Sequence, residues 1–147
     1  MQPGDQVSLN PQPIPPGAVA ITAVVAVAIS AALGAWGSFG DNGDFGDYWP
    51  VLIIIAVLAA IVFGFVVPRA VRGAWPAART GLILSVLGLL TVAVFWSGAP
   101  PILALPGILL GYLARQRGDT TGVATAAIIV GVLAVVADIA IYIGDQA

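Results

Sequence analysis

Long apolar runs constrain this chain more than any other feature of its sequence. Four of them cover residues 18–36, 51–67, 81–96 and 122–143, and a shorter run covers residues 102–114. A helix needs about 20 mainly apolar residues to cross a hydrocarbon core of about 30 Å. Hydrophobic residues make up 60% of the chain and charged residues only 8%, against roughly a quarter in soluble domains. The sequence therefore predicts an all-α, polytopic integral membrane protein whose helices form a bundle.

The positions of the arginines predict how the runs cross the membrane. Arg69, Arg72 and Arg79 lie between the second and third runs, and Arg115 and Arg117 follow the short run. Short arginine-rich loops stay in the cytoplasm, so the chain must cross an even number of times between the two groups. We therefore expect five transmembrane helices, with the N-terminus in the cytoplasm and the C-terminus outside.

The short run at residues 102–114 leaves an alternative open. At about 1.5 Å per residue it is short for a span, and Pro106 interrupts it. The rival arrangement has four spans, with this segment re-entrant.

Composition also indicates the source and the domain organisation. The chain is rich in Ala, Val and Gly and uses Arg but never Lys, which is typical of GC-rich bacteria, so we expect a multi-pass protein of the bacterial plasma (inner) membrane. Residues 1–16 hold five of the eleven prolines and few apolar residues, which predicts a disordered, Pro-rich cytoplasmic tail. Residues 17–147 are predicted to form a single transmembrane helical domain.

Small residues recur three and four positions apart within the runs. Inside lipid, helices associate through close backbone approach and dispersion, because burying apolar side chains gains nothing there. These stripes therefore predict contacts between helices, within the chain or with another protein. The candidate packing residues are Ala60, Gly64, Ser85, Gly88, Gly107, Gly111, Ala127 and Gly131.

Asp138 is the one acid placed within a run, and it is the candidate intramembrane polar site. It shares a helix face with Gly131 and Ala134, so it should point at a neighbouring helix. An intramembrane carboxylate is by default a functional hypothesis, here a proton or cation site or a hydrogen-bond anchor. Its position near a helix end favours the simpler interpretation that it reaches the interface and is solvated.

The residue inventory excludes most catalytic chemistry. The chain contains no His, Cys, Lys or Glu, so there is no imidazole ligand, no thiolate and no disulfide framework. We expect no catalytic residues, no cofactor and no metal site. The Gly-Asp-rich segment 40–47 could offer oxygen ligands to Ca²⁺, but its spacing fails the EF-hand pattern, and a solvated outer loop is the favoured interpretation. The arginines could bind anionic lipid headgroups or a soluble partner, but more often such residues only set topology. Nucleic acid is not an expected partner.

One part of the chain resembles a known type of domain. The stretches TGLILSVLGL at 80–89, LPGILLGYLAR at 105–115 and the apolar segment 122–131 look like a small Gly-rich membrane domain of unknown function found in actinobacterial proteins. The resemblance covers residues 77–131 and implies three short spans joined by basic turns. The chain departs from it at Ser85 and Ala127, where Gly is expected. The resemblance implies no catalytic residues.

These features favour a non-catalytic accessory or scaffold subunit of a larger membrane complex, with other membrane protein subunits and the lipid bilayer as partners. The alternative is a homo-oligomeric channel or an ion or proton pathway that uses Asp138. An enzyme is the least favoured class, because it would need several convergent polar groups.

Overall fold

The computed structural model describes residues 15–39, 45–93, 99–119 and 121–145, and all regular structure in these ranges is helical. The helices are α1 (Pro16–Phe39), α2 (Phe45–Ile61), α3 (Val67–Val71), α4 (Ala77–Thr91), α5 (Ala99–Gln116) and α6 (Thr121–Asp145). A π-helical segment, Val62–Val66, joins α2 to α3, so these two form one continuous rod. The predicted all-α class is confirmed for this part of the chain. Of the predicted tail, residues 1–14 lie outside the described ranges.

Pro68 explains the π-helical segment. A proline inside a helix has no N–H to donate, and its ring clashes with the carbonyl four residues earlier, here that of Gly64. The helix adapts by widening, and the Val67 N–H donates to the carbonyl of Val62, five residues back. The rod thus passes the proline without breaking.

Within the described ranges, three helical segments are long and apolar enough to cross a membrane: Pro16–Ala35, Tyr48–Val71 and Thr121–Gly144. Helix α4 is apolar but shorter. Its 15 residues reach about 22 Å, less than the hydrocarbon core of a bilayer. Helix α5 contains Pro106 and ends in Arg115 and Gln116, and it is not one of the three. The number of five spans is therefore not supported by helix length and composition.

Helix α5 lies at the centre of the bundle. Twelve of its 18 residues are buried, including Ile102 and Leu110. It packs closely against α4 and α6, which also contact each other, while α1 packs against α5 and α2. Because its neighbours cover it, α5 does not need a surface as apolar as that of a helix facing lipid.

Both arginine-bearing turns lie at one end of the bundle, which we call the arginine end. Arg117 Nη2 donates a hydrogen bond of 2.7 Å to the carbonyl of Val71, joining the turn after α5 to the turn after α3. Helices α4 and α5 therefore form an antiparallel hairpin between these turns.

The two turns at the arginine end have the same glycine-dependent geometry. Gly73 and Gly118 have φ values of 79° and 73°, in the left-handed region that favours glycine. After α3, Ala74 N–H donates to Arg69 O; after α5, Asp119 N–H donates to Ala114 O, both at 3.0 Å. This is the Schellman pattern, which satisfies the last carbonyls of each helix.

Candidate functional site

Asp138 lies in the interior of the bundle and is only 1% exposed. It continues a buried stripe of α6 that includes Ala127, Gly131 and Ala134 and ends one turn later at Tyr142. This is the small-residue face that the sequence predicts. The interpretation that Asp138 is solvated at the interface is therefore wrong, because the side chain does not reach the surface of the chain.

The contacts of α6 with α5 fix the level of Asp138 in the bundle. Gly131 lies against the carbonyl of Ala104, and Gly111 lies against that of Ala124, which defines an antiparallel register. Asp138 lies seven residues beyond Gly131, which in this register is two residues short of Ala99, the first residue of α5. A helix N-terminus ordinarily offers free N–H groups to a carboxylate. Here the second and third residues of α5 are Pro100 and Pro101, which have no N–H to donate.

Both carboxylate oxygens of Asp138 are buried without a hydrogen-bond partner among the described residues, and the hydroxyl of Ser30 is in the same state. Two other polar side chains of the chain are Thr91 and Ser97. Thr91 donates to Gly88 O, at 2.9 Å, and Ser97 lies outside the described ranges. Burying a polar group without a partner costs free energy, and a carboxylate costs most of all. The burial of Asp138 is therefore costly in free energy, and its presence in the bundle requires an explanation.

The second group of predicted residues forms the contact between α4, α5 and α6. Ser85 lies where the three helices meet, and its hydroxyl donates a 2.7 Å hydrogen bond to the carbonyl of Ala127. A Cβ added at Gly131 would lie 2.9 Å from Ser85 Oγ, and one added at Gly107 would overlap the same side chain. Ser85 and Ala127, both predicted packing residues, are thus joined by this bond.

Two further predicted glycines belong to the same core. A Cβ at Gly111 would lie 2.8 Å from Ala124 O and 3.0 Å from Ala127 Cβ, and one at Gly88 would lie 3.0 Å from Ala104 N. These are close backbone approaches of the kind that small residues permit. The structure thus brings together six of the eight candidate packing residues: Ser85, Gly88, Gly107, Gly111, Ala127 and Gly131.

Ala60 and Gly64 are not part of this core. Ala60 is exposed, and so are Ala56 and Gly64 on the same face of the α2 rod. Nothing lies within 4 Å of a Cβ built at Gly64. We call Ala56, Ala60 and Gly64 the open stripe.

One packing stripe was missed by the sequence reasoning. On α1, Ala26, Ser30 and Gly34 are all buried. A Cβ at Gly34 would lie 3.1 Å from Val51 Cγ1, and nearby the Tyr48 hydroxyl donates to Ala31 O at 2.8 Å. The available signal was the four-residue interval between Ala26, Ser30 and Gly34.

Of the acidic segment, residues 40–44 lie outside the described ranges, so the predicted solvated loop stays a prediction there. Residues 45–47 form the first turn of α2, so the prediction of a loop is wrong for these three. Comparisons with known protein families, with curated proteins and with solved structures find no match to this chain. The resemblance to an actinobacterial membrane domain also stays a prediction.

Proposed function

We propose that this chain is a non-catalytic accessory or scaffold subunit of a larger bacterial plasma-membrane complex. In this proposal the α4–α5–α6 core supports the fold, and the open stripe of α2 contacts a helix of another subunit. The absence of His, Cys, Lys and Glu from the whole sequence is consistent with a role that requires no catalytic side chain. In this proposal α4 and α5 cross the membrane as a short hairpin, so that the protein has five spans.

The open stripe is the observation that carries the proposal. Exposed large apolar residues on α2, such as Ile53 and Val57, are satisfied by lipid and indicate no partner. A row of small residues differs, because it lets the backbone of a second helix approach closely. The packing glycines of α4, α5 and α6 lie against helices of the same chain, namely Gly81, Gly88, Gly107, Gly111 and Gly131. In contrast, nothing lies within 4 Å of a Cβ built at Gly64.

Site-directed crosslinking in native membranes tests the proposal. The chain has no Cys, so Ala60→Cys introduces a single thiol to which a photoactivatable crosslinker can be attached. We expect an adduct with a different polypeptide, identified by mass spectrometry. Ala140→Cys, at an exposed position of α6, is the matched control and should give mainly lipid adducts. Adducts of the Ala60 probe with lipid alone would contradict the proposal, and adducts with a second copy would favour the channel hypothesis.

An ion or proton pathway through Asp138 is the second candidate function. The observation that favours it is the buried carboxylate without a partner among the described residues. An intramembrane acid of this kind marks ion pathways in many membrane proteins. Purified protein in vesicles that carry a pH-sensitive dye tests it: proton flux that is lost in Asp138→Asn would establish this function, and equal dye signals from protein-containing and empty vesicles would rule out proton flux.

A further inference from the structure

An apolar groove opens at the arginine end, where α4 diverges from the rod formed by α2 and α3. Its volume is about 490 Å³. The part of the groove at the arginine end is lined by Trp75, Pro76, Arg79 and Thr80. The rest is lined by apolar side chains, namely Val66, Ile83, Leu84 and Leu87. The apolar part follows α4 from Ile83 to Leu87, away from the arginine end.

A second arginine lies near the polar part of the groove. The guanidinium carbon of Arg69 stacks 3.3 Å from the ring centre of Phe65 and lies 6.0 Å from that of Trp75. Phe65 and Trp75 are in turn in edge-to-face contact, with ring centres 6.0 Å apart. Stacking holds Arg69 in place beside the wall that Trp75 forms. Arg69 is therefore held near this tryptophan, and Arg79 lines the same groove as the tryptophan does.

The charge at this end of the molecule is strongly unbalanced. All five arginines of the chain lie in or next to the two turns, and the one acid described there, Asp119, is exposed and does not line the groove. Arg79 forms no hydrogen bond or ion pair with any residue that the structure describes. It lies in the first turn of α4, where no side chain caps the helix and the macrodipole adds positive potential.

We propose that this groove binds one anionic phospholipid. The phosphate lies beside Arg79, with Arg69 near it, the ring of Trp75 lies at the headgroup level, and an acyl chain follows Val66, Ile83 and Leu87. Charge complementarity selects an anionic headgroup, since basic pockets between membrane helices bind such lipids and each nearby arginine contributes about 1 kcal/mol. The apolar floor selects a molecule with a long hydrocarbon chain rather than free phosphate or an acidic peptide. The sequence alone favours a topological role for these arginines over headgroup binding, and it does not indicate the groove.

Quenching of Trp75 fluorescence by brominated lipids tests the proposal. Phe substitutions at Trp36, Trp49 and Trp96 leave Trp75 as the only tryptophan in the full-length chain. The protein is reconstituted into vesicles of phosphatidylcholine and phosphatidylglycerol, with bromine on the acyl chains of one lipid or the other. We expect brominated phosphatidylglycerol to quench Trp75 at least fivefold more effectively per molecule than brominated phosphatidylcholine.

Four matched variants separate the groove from ordinary contact with the bilayer. Arg79→Gln should lower the preference for phosphatidylglycerol about fivefold, whereas Arg115→Gln, outside the groove, should leave it nearly unchanged. Ile83→Phe narrows the groove and should reduce quenching by both lipids, whereas Ile129→Phe on the exposed face of α6 should not. A chain that retains Trp49 instead, on α2 far from the arginine end, should show no preference.

Three outcomes would overturn the proposal. Equal quenching by the two brominated lipids would show that the groove does not select the anionic headgroup. A preference that survives in Arg79→Gln would place the anionic lipid elsewhere on the arginine end. Protection of Trp75 from both lipids would mean that protein covers the groove, either a second copy or another segment of this chain.

Discussion

A carboxyl group inside a membrane helix bundle needs a partner, a proton or water, because the surroundings cannot solvate its charge. The carboxylate of Asp138 has no hydrogen-bond partner among the described residues, and the buried residues one turn away on α6 are Ala134 and Tyr142. A residue that contributed only packing would be replaced without loss by Leu, which has a similar volume. Substitutions of Asp138 can therefore show separately what its carboxyl group contributes to the stability of the chain and to its function.

Substitution of Asp138 is expected to stabilise the isolated chain. Replacing an unpaired buried polar group by an apolar group of similar shape removes its desolvation cost, which is about 1–3 kcal/mol. We expect Asp138→Leu to be more resistant to unfolding in mild detergent than the parent, and Asp138→Asn to be close to the parent. Thermal unfolding followed by circular dichroism measures both. A loss of about 0.6–2 kcal/mol in the Leu variant would instead identify Asp138 as a hydrogen-bond anchor to a group outside the described residues.

At the level of helices, the question is which small-residue stripes pack against another helix of the same chain. The sequence predicts that the stripes mediate helix contacts, and in α2, α4, α5 and α6 alike the small residues lie three or four positions apart. What it does not reveal is the rotation of each helix in the bundle. The structure turns the stripes of α4, α5 and α6 inward and leaves that of α2 open.

Two glycines with opposite surroundings allow a direct test of this difference. Gly111→Leu would force a side chain against Ala124 O and Ala127, so α5 and α6 must separate, at a cost of about 1–3 kcal/mol or more. We expect little folded Gly111→Leu protein in mild detergent. The same substitution at Gly64 meets open space and should leave the yield of folded monomer unchanged. Size-exclusion chromatography of the two variants measures this, and similar behaviour of both would contradict the assigned helix faces.

Sequence reasoning reached the helices of this bundle but not their detailed geometry. The apolar runs predict five helical segments, which the structure contains, and the stripe on α6 places Asp138 on a buried face. The π-helical segment at Pro68 and the α1 stripe of Ala26, Ser30 and Gly34 were not predicted. The first depends on how a helix adapts to proline within a bundle. The second is obscured because α1 carries alanines on several faces, so its small residues do not mark one side.

At the scale of the whole molecule, the number of spans depends on the α4–α5 hairpin. Helix α4 is short, and α5 is enclosed by its neighbours rather than exposed to lipid. Hydropathy reports how a segment interacts with lipid, so it underestimates a helix that other helices cover. The position of both arginine-bearing turns at one end supports a hairpin that starts and finishes on the same side, whether it crosses the bilayer or turns within it.

Cysteine accessibility decides between these two arrangements. Because the native chain has no Cys, single thiols at Asp44, Ala74 and Gly98 can be labelled without background. Ala74 lies in the turn after α3 and, unlike Gly73, does not need a positive φ, so the substitution adds no strain there. For a hairpin that crosses the bilayer with the arginines in the cytoplasm, an impermeant maleimide added to intact cells should label Asp44→Cys and Gly98→Cys, and Ala74→Cys only after permeabilisation. Labelling of Asp44→Cys with protection of Gly98→Cys would instead make the hairpin re-entrant and reduce the count to three complete spans. Labelling of Ala74→Cys alone in intact cells would reverse the orientation of the whole molecule.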